Sequence, residues 1–199
     1  MDFEELTEER PLQEEPKKNR SGWGSFLLET LQTIILAIVL YFLIDTVVAR
    51  VRVENISMLP TLQPGEFILV DKISYRFKEM KHGDIIVFHY PQNPREDYIK
   101  RLIGLPGDTV QIQEGSVFVN GVKLIEGYLS APPMYDGEWI VPENALFVLG
   151  DNRNQSSDSH SWGYVPAENL VGKAFLVYWP LNELKLLTQP DVVLAASDR

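Results

Sequence analysis

The chain has 199 residues, enough for one medium domain with a buried core and an attachment segment, but too few for a multidomain protein. Its net charge of -10 argues against a nucleic-acid partner, which would need clustered Lys and Arg to neutralise phosphates. Cysteine is absent, which excludes thiol nucleophiles, disulfides and Cys-ligated zinc; the three histidines, His82, His89 and His160, form no H-x-x-x-H or H-E-x-x-H pair, so neither a metal site nor a cofactor is expected.

Residues 1–22 are polar, mostly acidic and aperiodic, with Pro11 and Pro16, and read as a disordered tail. From Trp23 the character changes. The unbroken apolar run from Ile34 to Ile44 lies inside a longer stretch, Phe26 to Ala49, which meets the about 20 mainly apolar residues that a helix needs to cross hydrocarbon. Glu29, Gln32, Thr33, Asp45 and Thr46 sit toward its ends, where polar groups reach headgroups. Residues 23–49 are therefore expected to be a transmembrane anchor. The alternatives are a buried soluble helix and a cleaved signal peptide ending near Val47-Val48-Ala49. Against them, the run is apolar all round rather than striped, and the acid-rich leader is unlike an n-region. Lys17, Lys18 and Arg20 precede the run while Arg50 and Arg52 follow it, giving a slight preference for a cytoplasmic N-terminus.

After Arg50 the sequence reads as strands and turns. The runs 67–70, 84–88, 110–112, 117–119, 145–149 and 174–178 are rich in β-branched and aromatic residues and bounded by Gly, Pro or Asn-Gly. Asn120-Gly121 between two such runs signals a type I′ hairpin. Residues 50–199 are expected to form a mainly β domain behind the single N-terminal helix.

Three clusters carry chemistry: Ile56-Ser-Met-Leu-Pro-Thr-Leu62, Tyr98-Ile-Lys-Arg-Leu-Ile-Gly-Leu-Pro-Gly-Asp108, and Gly150-Asp-Asn-Arg-Asn-Gln-Ser-Ser-Asp-Ser-His160. A serine hydroxyl needs a positioned base to become a nucleophile. Lysine can be that base only when neutral, so its pKa must fall to roughly 7–8, a shift worth on the order of 4 kcal/mol that burial can supply. Lys100, flanked by Ile99, Leu102 and Ile103 on an expected strand, has a suitable setting. From residue types alone, the ordinary readings are the favoured ones: Ser57 as a turn serine before Pro60, and Lys100 as a surface strand lysine next to Arg101.

In this order behind an N-terminal anchor, the three clusters resemble the type I signal peptidases from the anchor to about Tyr178. The resemblance implies an antiparallel, coiled β-sheet peptidase domain and a serine endopeptidase that removes signal peptides from exported precursors, cutting after small residues. It implies that Ser57 attacks the scissile carbonyl, that Lys100 takes its proton and returns it to the leaving amine, and that the Ser57 N–H forms part of the oxyanion hole. Ser156 would orient the Lys100 amine, with Asp158 and Arg153 bracing that loop. It places Met58, Leu62, Val53, Tyr98 and Ile99 around the pocket nearest the cut, and Val51, Val87 and Ile99 around the next; as residue types, all of these also suit an ordinary β core. The partners implied are signal-peptide-bearing precursors and the lipid bilayer, with residues 1–22 cytoplasmic and 50–199 on the far side of the cell membrane.

Two positions depart from the family pattern. Asn55 stands where the family usually has Ser or Gly, and its amide offers an oxyanion donor, with the tolerance of asparagine for a left-handed backbone in its favour. His160 stands where Arg is usual, exchanging a permanent charge beside Asp158 for a titratable one. Two other functions fit less well. A self-cleaving repressor-type Ser/Lys protease would carry a soluble DNA-binding N-terminus, and a silent membrane-anchored β module would be expected to lack Ser57 or Lys100.

Overall fold

The computed structural model describes residues 22–188, so the tail expected over residues 1–22 lies, apart from Gly22, outside the described residues. Two compact units divide between Phe42 and Leu43. The first is dominated by helix α1, Trp23–Val47, in which no residue is buried. Length and composition make α1 sufficient to cross a bilayer. Among the described residues nothing buries its apolar surface, as befits an all-round apolar helix that meets lipid.

The second unit is mainly β. Its elements in chain order are β1 (Val48–Arg52), β2 (Phe67–Asp71), β3 (Ile85–Tyr90), β4 (Asn93–Gly104), β5 (Thr109–Gln113), β6 (Ser116–Val119), β7 (Val122–Lys123), β8 (Gly137–Ile140), β9 (Ala145–Leu149), the one-turn helix α2 (Ser159–Trp162), β10 (Val165–Pro166), β11 (Leu170–Trp179) and β12 (Lys185–Leu186). The strand order in the larger sheet is β1-β2-β11-β3-β4-β9-β10, with β12 also on β11, and in the smaller one β7-β6-β5-β8. Every pairing is antiparallel.

All six expected runs fall on strands, with Asp84 alone lying just before β3. Asn120 and Gly121 turn the β6–β7 hairpin with φ of 52° and 78°, the left-handed pair that a type I′ turn requires. Two expectations change. Val48 and Ala49 belong to β1, not to the anchor: β-branched Val48, directly after the helix, opens a ladder in which it faces Asp71 and Ala49 faces Val70. And β4 starts at Asn93, well before its apolar half. The segment from Asn93 to Asp97 is almost wholly exposed, so its polarity hid a strand that the pairing of His89 with Asp97 and of Tyr90 with Asn93 establishes.

Three clusters form the core, and two of them flank the site. One gathers Val53, Met58, Leu62, Ile68, Val70, Val87 and Ile99 beneath β1, β2 and β3. The other packs Ile86, Phe88, Leu102, Leu146 and Val148, with Tyr98 and Trp162 against it.

Candidate active site

Ser57 sits in a single 3₁₀ turn, Ile56–Met58, that follows β1. Met58, only 1% exposed, plugs the turn into the core, and the Leu62 N–H donates to the Met58 carbonyl at 2.9 Å. From the other side, the Asn152 N–H donates to the Ser57 carbonyl at 2.9 Å and Asn152 Nδ2 to the Ile56 carbonyl at 3.2 Å. The nucleophile segment is thus held between the core and the 150–160 loop. Asn55 begins the turn with φ -110° and ψ 160°, so its backbone is extended, not left-handed as asparagine's tolerance suggested. Its side chain makes no capping bond to the turn.

Lys100 lies in the buried half of β4, opposite Ile86, and is 4% exposed. Its Nζ is hydrogen bonded to Ser57 Oγ at 2.7 Å and to the Ile99 carbonyl at 3.2 Å, and stands 5.3 Å from the centre of the Tyr98 ring. Burial lowers its pKa from 10.5 to about 8, although the carboxylates of Asp158 and Asp151 pull the other way. A neutral amine in contact with a serine hydroxyl can accept the proton, which is the chemistry a lysine base needs.

The third cluster wraps around Gly150. Asp158 Oδ2 accepts the Gly150 N–H at 2.9 Å, and Arg153 Nε donates to the Gly150 carbonyl at 3.1 Å. Arg153 and Asp158 do not pair with each other; Arg153 forks onto Glu126 at 2.9 and 2.5 Å. His160 stands beside Asp158, Nδ1 to Oδ1 at 2.6 Å, and stacks on Tyr135 with ring centres 4.0 Å apart. Gly150 must be glycine, because a Cβ there would meet Ser156 Oγ at 2.3 Å and the Ser57 carbonyl oxygen at 2.5 Å. Ser156 differs from expectation. Among the described residues its buried hydroxyl, which lies against Gly150, has no hydrogen-bond partner, and the Lys100 amine bonds to Ser57 and the Ile99 carbonyl. Packing on the glycine, rather than a bond to the amine, sets where Ser156 lies.

A cleft of about 310 Å³ opens over Ser57 and Lys100, lined among others by Val51, Val53, Met58, Tyr98 and Ile99. Asn55 lines it too and also a smaller recess shared with Ser57, Lys100 and Ser157. Leu62 and Val87 do not reach the cleft: both are 0% exposed in the cluster beneath it, where alternation along the strand and the turn after Ser57 send them inward.

Residues 27–179 match the family described as signal peptidase, peptidase S26. Signal peptidase I of Leptolyngbya laminosa is 46% identical over 185 residues, covering 88% of this chain and 91% of that protein. The chain belongs to the signal peptidase family. Within that family, a probable signal peptidase I-2 of Synechocystis sp. is 43% identical over 187 residues, covering 90% of this chain and 86% of its own. The chloroplastic thylakoidal processing peptidase 1 of Arabidopsis thaliana is 34% identical over 186 residues, covering 85% of this chain and 55% of its own.

This signal peptidase also contains a tie that sequence reasoning missed. Arg101 forks onto Asp151, Nε to Oδ1 at 2.7 Å and Nη2 to Oδ2 at 2.6 Å, with side chains 1% and 0% exposed. Thr61 donates its hydroxyl to the same carboxylate, and Tyr128 lies under the guanidinium with its ring centre 3.8 Å away. One residue from each of the three clusters therefore meets in a single buried network. An aspartate directly after a glycine is an ordinary turn residue; only the adjacency of Asp151 to Gly150 and of Arg101 to Lys100 hints otherwise. For Glu126, in an aperiodic stretch, no signal was present.

Proposed function

We propose that this peptidase is a membrane-anchored endopeptidase with a Ser57/Lys100 dyad that removes signal peptides from exported precursors. The single observation that carries this reading is the buried 2.7 Å contact between Lys100 Nζ and Ser57 Oγ, made by an amine whose pKa lies near 8. Neutral Lys100 accepts the hydroxyl proton as Ser57 Oγ bonds to the scissile carbonyl carbon. The Ser57 N–H and the Asn55 amide face the developing oxyanion. Protonated Lys100 then returns its proton to the leaving amine, leaving an ester on Ser57. A water, deprotonated by the same amine, attacks that ester and frees the enzyme. Asp158 and Arg153 act at one remove, holding Gly150 and with it the loop against Ser57, and Ser156 fills the space beside that glycine.

Substrate binding follows from the sheet. β1 is an edge strand, and an extended peptide laid along the chain from Val51 to Asn55 would send alternate side chains toward Val53, Met58 and Ile99. A cleft of this size, walled by side chains anchored in the core, favours small groups at those positions. In the proposed topology, residues 1–22 are cytoplasmic, helix α1 anchors the chain, and the catalytic unit from β1 onward faces the other side, where exported precursors emerge.

The test is cleavage of an exported precursor in lipid or detergent by the parent, Ser57→Ala and Lys100→Ala. Both variants are expected to lose cleavage, and retained cleavage by either overturns the dyad.

A further inference from the structure

We propose that the turn between β2 and β3, residues 72–81, is a docking surface for the anionic headgroups of the bilayer in which α1 is held. The proposal rests on the membrane-anchored reading of α1.

Position comes first. The Lys72 N–H donates to the Val47 carbonyl at 2.9 Å, and Lys72 Nζ donates to the Asp45 carbonyl at 3.2 Å. Val47 is the last residue of the apolar helix. The turn therefore begins alongside the C-terminal end of the helix.

Charge and exposure come second. Lys72, Arg76, Lys78 and Lys81 are all exposed, against one exposed acid within the turn, Glu79, in a chain whose net charge is -10. The acids at its two ends are engaged inward. Asp71 accepts the N–H groups of Ile73 and Ser74 and the Ser74 hydroxyl. Asp84, 2% exposed, accepts from the Tyr75 hydroxyl, the Lys81 N–H and Lys173 Nζ. These bonds fix the turn from below and leave its outer face cationic.

In the middle of those cations stands Phe77, 82% exposed. An aromatic ring of that exposure amid Lys and Arg fits the headgroup boundary, where the ring enters the acyl margin and the cations meet anionic lipid. Attraction of this kind is confined to within about a Debye length, roughly 8 Å at physiological salt, so it acts only where the chain is already tethered to the surface. The Lys72 bonds supply that tether. Docking would hold the catalytic unit in one orientation at the membrane.

The absence of cysteine makes the test clean. Phe77→Cys, Leu36→Cys within α1 and Met134→Cys, a position equally exposed at 82% but on the loop before β8, each receive an environment-sensitive fluorophore in the full chain. The chains are placed in nanodiscs of phosphatidylcholine with or without phosphatidylglycerol, some of whose lipids carry a nitroxide quencher near the headgroup. The expected result is quenching at position 77 about three-fold or more above that at 134 in anionic discs. Arg76→Glu/Lys78→Glu/Lys81→Glu should abolish it, in proportion to the several-fold weakening expected for each cation removed. Cleavage of a short soluble peptide by that triple variant should stay at the parental rate, certifying its fold. A membrane-shielded probe at 36 with a water-exposed one at 77 overturns the docking while leaving the anchor intact, and reassigns the turn to a protein partner. A water-exposed probe at 36 overturns the anchor and the docking together.

Discussion

Asp158 and Arg153 never touch, yet they hold the two ends of one residue: the carboxylate takes the Gly150 N–H and the guanidinium the Gly150 carbonyl. That residue is packed against the Ser57 carbonyl, so a displacement of the loop is passed to the nucleophile. Removing one member of a buried ion pair leaves the other uncompensated, at about 3–5 kcal/mol. Arg153→Ala, which strands Glu126, is expected to lower the unfolding free energy by that amount in thermal or denaturant melts and to depress kcat more than it raises KM. Unchanged stability would remove the bracing role.

Lys100 ties activity to stability with opposite signs. Its folded pKa, about 8, lies below the ordinary 10.5, so between those values the unfolded chain binds more protons and stability rises with pH. Below about pH 8 the penalty for burying the ammonium is complete, roughly 3 kcal/mol. Lys100→Met is therefore expected to be inactive yet more stable than the parent at neutral pH, by up to about 3 kcal/mol less the lost contact with Ser57. The gain should vanish above about pH 10.5. In the parent, kcat/KM should climb through about pH 8 as the amine becomes neutral. A melt of Lys100→Met that is no higher than the parent's at neutral pH would contradict the burial argument.

Asn55 lines the cleft with a side chain not spent on capping its own turn. As an oxyanion donor it should contribute chiefly in the transition state, so Asn55→Ala is expected to lose about 10²–10³ in kcat with KM nearly constant. Single-turnover cleavage separates the two parameters, and a proportionate rise in KM instead would make Asn55 a ground-state contact.

His160 Nδ1 lies 2.6 Å from Asp158 Oδ1, and its ring stacks on Tyr135. His160→Phe keeps an aromatic ring for the stack but removes the contact with the carboxylate that holds Gly150, so it is expected to destabilise the protein by about 1–3 kcal/mol in thermal melts. A melting temperature equal to the parent's would mean that the ring acts through its stack on Tyr135 instead.

Much of the architecture is visible in residue order, because short continuous apolar runs such as Ala145–Leu149 are satisfied when buried on both faces. The dyad is visible in the motif order. What remained hidden is where identity does not determine direction. Leu62 and Val87 have the same chemistry as Val53 and Ile99, yet one pair lies under the cleft and the other lines it, a difference set by backbone path. Long-range polar partners are equally silent: Arg101 and Asp151 are 50 positions apart and Arg153 and Glu126 are 27. Asparagine's left-handed tendency yielded at Asn55 to the extended approach of the chain from β1.

The passage of α1 into β1 without a loop makes the enzyme a ruler. Ser57 follows Val47, the final residue of the helix, by ten positions, so even a fully extended chain would carry the nucleophile no more than about 35 Å from the point where the helix ends. Under the proposed topology, a precursor whose scissile bond is displayed farther than that from the end of the helix lies out of range, however well its side chains suit the cleft. Selection by distance thus precedes selection by shape.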